Sequence, residues 1–182
     1  MPRPSPQAVL LVDGYNVIGL WSYLQETRDR DGLEYARKAL VEALVNYSAY
    51  KGFDTQVVFD AQYQDTRGYC EPVTNVLSVY YTDFGQTADT YIEKACASYS
   101  RNFSRNSPRL IVATSDRAQQ LTVVGYGAEC MSALQLSYDV ESTANCLRRR
   151  NKPKKKSSGR FLADSIDAKA RQRLAEWRLD QK

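Results

Sequence analysis

Gln7-Ala-Val-Leu-Leu-Val12, closed by Asp13-Gly14, is the stretch on which the fold turns. A short, uninterrupted apolar run ended by a turn pair suits a strand buried on both faces, as in a parallel sheet. Working outward, Gln56-Val-Val-Phe59 repeats the pattern and ends at Asp60. Val76 to Tyr81 forms a third run, and Leu110-Ile-Val-Ala113, closed by Thr114-Ser115-Asp116, a fourth. Between them the spacing becomes helical. Leu33, Ala36, Leu40, Leu44 and Tyr47 share one helix face, with Asp31-Gly-Leu-Glu34 read as a capping box and Gly52 as the stop. Thr87 is an N-cap for a helix from Ala88 to Phe103, broken by Asn106-Ser-Pro108. A short helix from Gln119 to Val124, a short strand from Ala128 to Met131 and a helix from Ser132 to Leu147 follow. Residues 61–74 are polar and turn-rich and predict a surface loop. Strands alternating with helices predict an α/β fold, an open, mostly parallel sheet with helices on both faces.

Composition narrows the chemistry. The chain has 182 residues, 43% of them hydrophobic and 25% charged, which is the balance of a globular protein with a core. It contains no histidine. A Ser-His-Asp or Cys-His triad, a His-based ribonuclease and an imidazole zinc site are therefore excluded. A hydrolase built from this chain must use carboxylates, Lys, Tyr, Cys or a carboxylate-held metal. Cys70, Cys96, Cys130 and Cys146 form no CxxC pair and read as reduced, mostly apolar residues. The N-terminal apolar run is too short for a signal core or a membrane span, so a cytoplasmic protein is expected. No GxGxxG follows the first strand and no P-loop lysine motif is present, and Gly125-Tyr-Gly127 reads as a helix exit.

The net charge of +4 hides a division. Residues 1–147 hold 12 basic and 17 acidic side chains, net −5, whereas residues 148–160 hold eight basic and none acidic. These eight are Arg148, Arg149, Arg150, Lys152, Lys154, Lys155, Lys156 and Arg160. With Pro153, Ser157, Ser158 and Gly159 among them, the strap reads as an exposed, flexible linker. It serves either as a solvated charge run or as a contact to polyphosphate such as RNA. The expected organisation is a domain over 1–147, a basic linker over 148–163 and a C-terminal helix over 164–182. Ile166, Ala170, Leu174 and Trp177 lie on one face of that helix.

Acidic residues recur at the carboxyl ends of the strands, where open α/β sheets place their ligand crevice. Asp13 closes the first strand, Asp60 the second and Asp116 the fourth. Asp89 and Glu93, spaced i and i+4 at the start of a helix, share a face. Asn16 and Ser115 stand beside Asp13 and Asp116. Each Asp alone has an ordinary explanation as a turn or cap residue. Several carboxylates on one rim repel unless a cation neutralises them. Hard oxygen ligands select Mg²⁺ or Mn²⁺, ions that activate water and stabilise an in-line phosphoryl displacement.

Four motifs carry a resemblance. Leu10-Leu-Val-Asp-Gly-Tyr-Asn16, Val57-Val-Phe-Asp-Ala61, Thr87-Ala-Asp-Thr-Tyr-Ile-Glu93 and Val112-Ala-Thr-Ser-Asp116 resemble the YacP-like branch of the NYN domains, which are PIN-like metal-dependent ribonucleases. Order and spacing agree over about residues 8–150, and Leu174-Ala-Glu-Trp-Arg178 is similar to that branch's ending. The resemblance implies a PIN-like three-layer fold and endoribonuclease activity, with some members acting on mRNA in the ribosome. It implies an acidic site at Asp13, Asp89 and Asp116, with Glu93 as a further or water-mediated metal ligand and Asn16 orienting Asp13 or a water. Asp60 and Ser115 would support the site. Lys94, Arg117 and the strap would grip the RNA backbone.

Two other readings compete. The same fold could serve as a non-catalytic RNA- or ribosome-binding module, although no carboxylate of the motifs is lost. A nucleophilic-aspartate phosphatase would favour a second Asp two positions after Asp13, where this chain has Tyr15. Thirteen tyrosines is a high count. Tyr15, Tyr63, Tyr69, Tyr80, Tyr81 and Tyr91 fall in or near the crevice segments, where one or two could stack on bases and the rest pack.

Overall fold

The computed structural model describes residues 5–60 and 67–151. Its elements run β1 (Ala8–Asp13), α1 (Gly14–Ile18), α2 (Ser22–Asp31), α3 (Leu33–Lys51), β2 (Phe53–Phe59), β3 (Tyr69–Pro72), β4 (Leu77–Tyr81), α4 (Ala88–Asn102), β5 (Arg109–Ala113), α5 (Arg117–Gly125), β6 (Glu129–Met131) and α6 (Ala133–Asn151). Six strands form one sheet in the order β3-β4-β2-β1-β5-β6. Every pairing is parallel except β3 with β4. The expected mostly parallel α/β sheet is therefore present.

The period-2 alternation of β1 sorts its side chains onto two cores. Ala8, Leu10 and Val12 point to one face, where Val17, Leu24, Leu40, Leu44, Tyr47 and Leu136 from α1, α2, α3 and α6 cover them. Leu11 points to the other, against Ala88, Ile92, Cys96 and Val123 from α4 and α5. Because both faces are covered, β1, β5 and the carboxyl half of β2 carry continuous apolar runs. The result is three layers, helix on sheet on helix.

Chain direction places the site. From β1 the chain steps to β2 and β4 on one side, then returns to β5 and β6 on the other. Strand order thus reverses at β1 and β5, and the crevice beyond their carboxyl ends is the ligand position of an open α/β sheet. Asp13 ends β1, and Thr114-Ser115-Asp116 follows β5.

Several expectations are corrected. Asp31 does not open α3; it is the last residue of α2 and pairs with Arg30 at 2.8 Å. Gly32 is the N-cap, with no side-chain cap bond, and Leu33 is exposed. Helix α2 carries a weak apolar stripe, with Leu24 its one buried residue, so periodicity gave no sign of it. The loop expected over 61–74 contains β3, a four-residue edge strand exposed throughout and ended by Pro72, a residue tolerated only at sheet edges. Helix α6 continues to Asn151, so Arg148, Arg149 and Arg150 are helical, not linker. Thr87 and Gly52 act as expected. The Thr87 hydroxyl accepts from the Thr90 N–H at 3.2 Å, and Gly52 ends α3 at φ +66°. The remainder of the linker and the C-terminal helix over 164–182 lie outside the described residues.

Candidate functional site

Asp13 is both the last residue of β1 and the N-cap of α1, where its Oδ1 accepts from the Asn16 N–H at 3.2 Å. The chain turns sharply there because Gly14 lacks a side chain: a Cβ at that position would land in the Phe59 ring. Asn16 Oδ1 in turn accepts from the Ser115 N–H at 2.8 Å, tying α1 to the loop after β5. Ser115 Oγ accepts from the Ala133 N–H at 3.0 Å, and Thr114 Oγ1 from the Asp116 N–H at 3.1 Å. Asn16 and Ser115 thus fix the backbone that carries Asp13 and Asp116 on opposite sides of the crevice.

Asp60 accepts a hydrogen bond from the Ala88 N–H, holding the start of α4 to the end of β2. That anchor brings the first turn of α4, with Asp89, over the crevice. Asp116 is exposed and caps α5, its Oδ1 accepting from the Gln119 N–H at 2.9 Å. Asp89, Glu93 and Asp116 line one cavity of about 240 Å³ together with Gln119. Asp13 and Asp60 stand outside that lining.

Gln119 joins the two sides. Its Nε2 donates to Asp89 Oδ1 at 2.5 Å while its backbone caps onto Asp116. The side chain is 7% exposed, and its Oε1 is buried without a hydrogen-bond partner. The sequence carried a usable signal for it. Asp116-Arg-Ala-Gln119 has the capping-box spacing, yet the Gln side chain reaches across to α4 instead of back to its own cap.

The electrostatics follow from burial and like charge. Burial lifts the Asp13 carboxyl from the ordinary 3.8 to about 6; the Asn16 N–H pulls it down, and the Asp89, Asp60 and Asp116 charges add to the rise. Asp89 is also raised, by burial first and then by Asp116 and Asp60, against the hydrogen bond from Gln119. No ion pair to any of these carboxylates occurs among the described residues. Desolvated, mutually repelling carboxylates without a cation are the donor set that a hard divalent ion satisfies. The orphaned amide oxygen of Gln119 is a donor of the same kind. In chemistry the site fits such an ion. In spacing, no group of three or more Asp, Glu or Cys side chains among the described residues closes into a metal-holding cluster.

The expected RNA contacts are only partly placed. Lys94 on α4 and Arg117 at the start of α5 are exposed, and Arg148, Arg149 and Arg150 are exposed in the last turn of α6. Lys152, Lys154, Lys155, Lys156 and Arg160 lie outside the described residues. No helix among the described residues is long and apolar enough to cross a membrane.

A three-layer, mostly parallel sheet whose order reverses beneath a rim of carboxylates defines an α/β domain with an acidic ligand site at the carboxyl ends of its strands. The sequence model of the YacP-like NYN domain matches residues 10–179, and the chain belongs to that family. The uncharacterized protein YacP of Bacillus subtilis (strain 168) is 35% identical over 143 residues, covering 78% of this chain and 80% of that protein. The crystal structure of Rae1 (YacP) from Bacillus subtilis superposes with a TM-score of 0.62 at 32% identity, over 78% of each chain. The crystal structure of a mutant of the same Bacillus subtilis protein gives 0.64 at 33% identity, over 78% of this chain and 79% of that one. The NYN domains are PIN-like and nuclease-related, and PIN-like NYN nucleases generally use divalent metals.

Proposed function

We propose that this chain is a divalent-metal-dependent endoribonuclease of the cytoplasm. Its substrate is RNA, with mRNA, including mRNA on the ribosome, as the working target. The observation that carries the reading is the set of four carboxylates, Asp13, Asp60, Asp89 and Asp116, whose charges act on one another beyond the carboxyl ends of β1 and β5. Asp13, Asp89 and Asp116, with Glu93, would hold Mg²⁺ or Mn²⁺. The ion would supply charge neutralisation and a water nucleophile of lowered pKa. The chain's own residues do the rest. Asn16 keeps Asp13 and the Ser115 loop in register, Asp60 holds α4 in place, and Gln119 aligns Asp89 with Asp116. Hydrolysis in this manner leaves 5′-phosphate and 3′-hydroxyl ends. Lys94, Arg117, Arg148, Arg149, Arg150 and the lysines that follow would bind the strand through its phosphates.

Asp13, Asp60 and Asp116 each accept a hydrogen bond from a backbone N–H at a helix start, a structural use of the acids that favours a second reading, an RNA- or ribosome-binding module without catalysis. One experiment separates the two. Purified wild-type protein, Asp13→Asn and Asp89→Asn are incubated with end-labelled RNA, with and without ribosomes, in Mg²⁺, Mn²⁺ or EDTA. The nuclease reading expects cleavage that drops at least about 100-fold in either variant and disappears in EDTA. RNA binding without any cleavage would establish the binding module instead.

A further inference from the structure

A second concavity, about 310 Å³ in volume, lies between α3 and the β3–β4 edge of the sheet. Phe59, Val79 and Tyr81 form its base, Arg37 stands over it from α3, and Glu42 and Glu71 flank it. The strand register sets Phe59 opposite Tyr81 and Tyr81 opposite Tyr69. Side chains paired in this way share a face. Their rings stack in a row, 4.8 Å from Tyr69 to Tyr81 and 5.9 Å from Tyr81 to Phe59. Tyr15, tilted against Phe59 at 5.1 Å, ends the row two positions after Asp13. Arg37 spans the same ground. Its guanidinium lies 5.9 Å from the Tyr81 centroid and donates to the Tyr15 hydroxyl at 3.3 Å, while its Nε is buried without a partner.

Tyr15 links the groove to the acidic rim: its ring packs on Phe59, its hydroxyl accepts from Arg37, and it follows Asp13 by two positions. Core packing accounts for Phe59, which is fully buried. It does not account for Tyr69, which is 49% exposed at the outer end of the stack, or for an arginine with an unused buried donor.

Charge selects the occupant. Glu34 is ion-paired with Arg37 at 2.5 Å and with Lys38 at 3.5 Å, while Glu42 and Glu71 have no cationic partner among the described residues, so the groove is net negative, which disfavours a phosphate and not a neutral planar ring. Unpaired bases stack on tyrosine rings and guanidinium planes. Ionised carboxylates only accept hydrogen bonds. Adenine, guanine and cytosine each offer an exocyclic amino group to them, whereas uracil has no amino group and flanks its single N3–H with two carbonyl oxygens that like charge repels. We propose that the groove between α3 and the β3–β4 edge receives one unpaired nucleobase of the RNA lying across the acidic rim, and that it prefers amino-bearing bases over uracil. This rests on the endoribonuclease reading and adds a base-selecting subsite to it.

Cleavage itself supplies the register for a test. The full chain, Arg37→Gln and Tyr81→Leu are each given a random-sequence single-stranded RNA pool under the condition that gave cutting above. Base frequencies are then counted outward from the cut ends. The expected result is one fixed position, within a few nucleotides of the cut, where uracil is depleted about 10-fold for the wild-type chain and less than about 2-fold for both variants. Arg37→Gln keeps a good helix former on a partly exposed helix, so the test stands even where Tyr81→Leu fails to fold. Cutting with no positional bias, or with a bias unchanged in Arg37→Gln, overturns the subsite and leaves the nuclease reading standing. Absence of cutting by the wild-type chain overturns both.

Discussion

Replacing Asp13 by Asn should make the metal-free protein more stable at neutral pH, although it removes the residue most central to the proposed chemistry. Asp13 is 8% exposed, and burial with three neighbouring carboxylates lifts its carboxyl from 3.8 to about 6. The folded state therefore holds the Asp13 proton to higher pH than the unfolded chain does. Its contribution is favourable below about pH 4 and is lost as pH rises through about 6. The difference between 3.8 and about 6, at about 1.4 kcal/mol per pH unit, makes the ionised form about 3 kcal/mol less stable above neutrality. Asparagine carries no charge and caps a helix as well as aspartate, so the bond from the Asn16 N–H survives the change. Urea unfolding in EDTA should find Asp13→Asn about 3 kcal/mol more stable than wild type near pH 8 and no more stable near pH 4. In a chain of this size the gain near pH 8 corresponds to roughly 6–12 °C in Tm. Mg²⁺ or Mn²⁺ near pH 8 should stabilise the wild type and not the variant, narrowing the gap. A variant less stable than wild type near pH 8, or a difference that does not change with pH, would refute the claim that Asp13 is a desolvated charge.

Three further outcomes are expected. Gln119→Ala should weaken Mn²⁺ binding about 10- to 100-fold by calorimetric titration. Its effect on stability should be small, because the lost hydrogen bond to Asp89 is offset by removal of a buried oxygen that had no partner. Gly14→Ala should lower stability by about 1–3 kcal/mol in thermal unfolding, since the new Cβ must displace the Phe59 ring. Replacing Lys152, Lys154, Lys155, Lys156 and Arg160 together by Gln should reduce the slope of log K against log salt for single-stranded RNA by about 3 to 4, as read by fluorescence anisotropy. An unchanged slope would mean that the strap is only a solvated charge run.

The sequence alone determined the alternation of elements and the position of an acid after β1, β2 and β5. Both are local properties. A strand covered on two faces must be apolar throughout, a helix must repeat every three to four residues, and caps such as Thr87 and Asp116 act within one turn. Elements with little apolar surface escaped notice. Helix α2 buries one residue of its ten, and β3 buries none. Tertiary structure alone decided which acids meet. The reversal of strand order at β1 and β5 is a matter of long-range pairing, and it sets Asp13, Asp89 and Asp116, far apart along the chain, around one crevice. It also decided their environment. The raised Asp13 carboxyl and the reach of Gln119 to Asp89 depend on how much water the surrounding helices exclude, and a linear sequence does not record that.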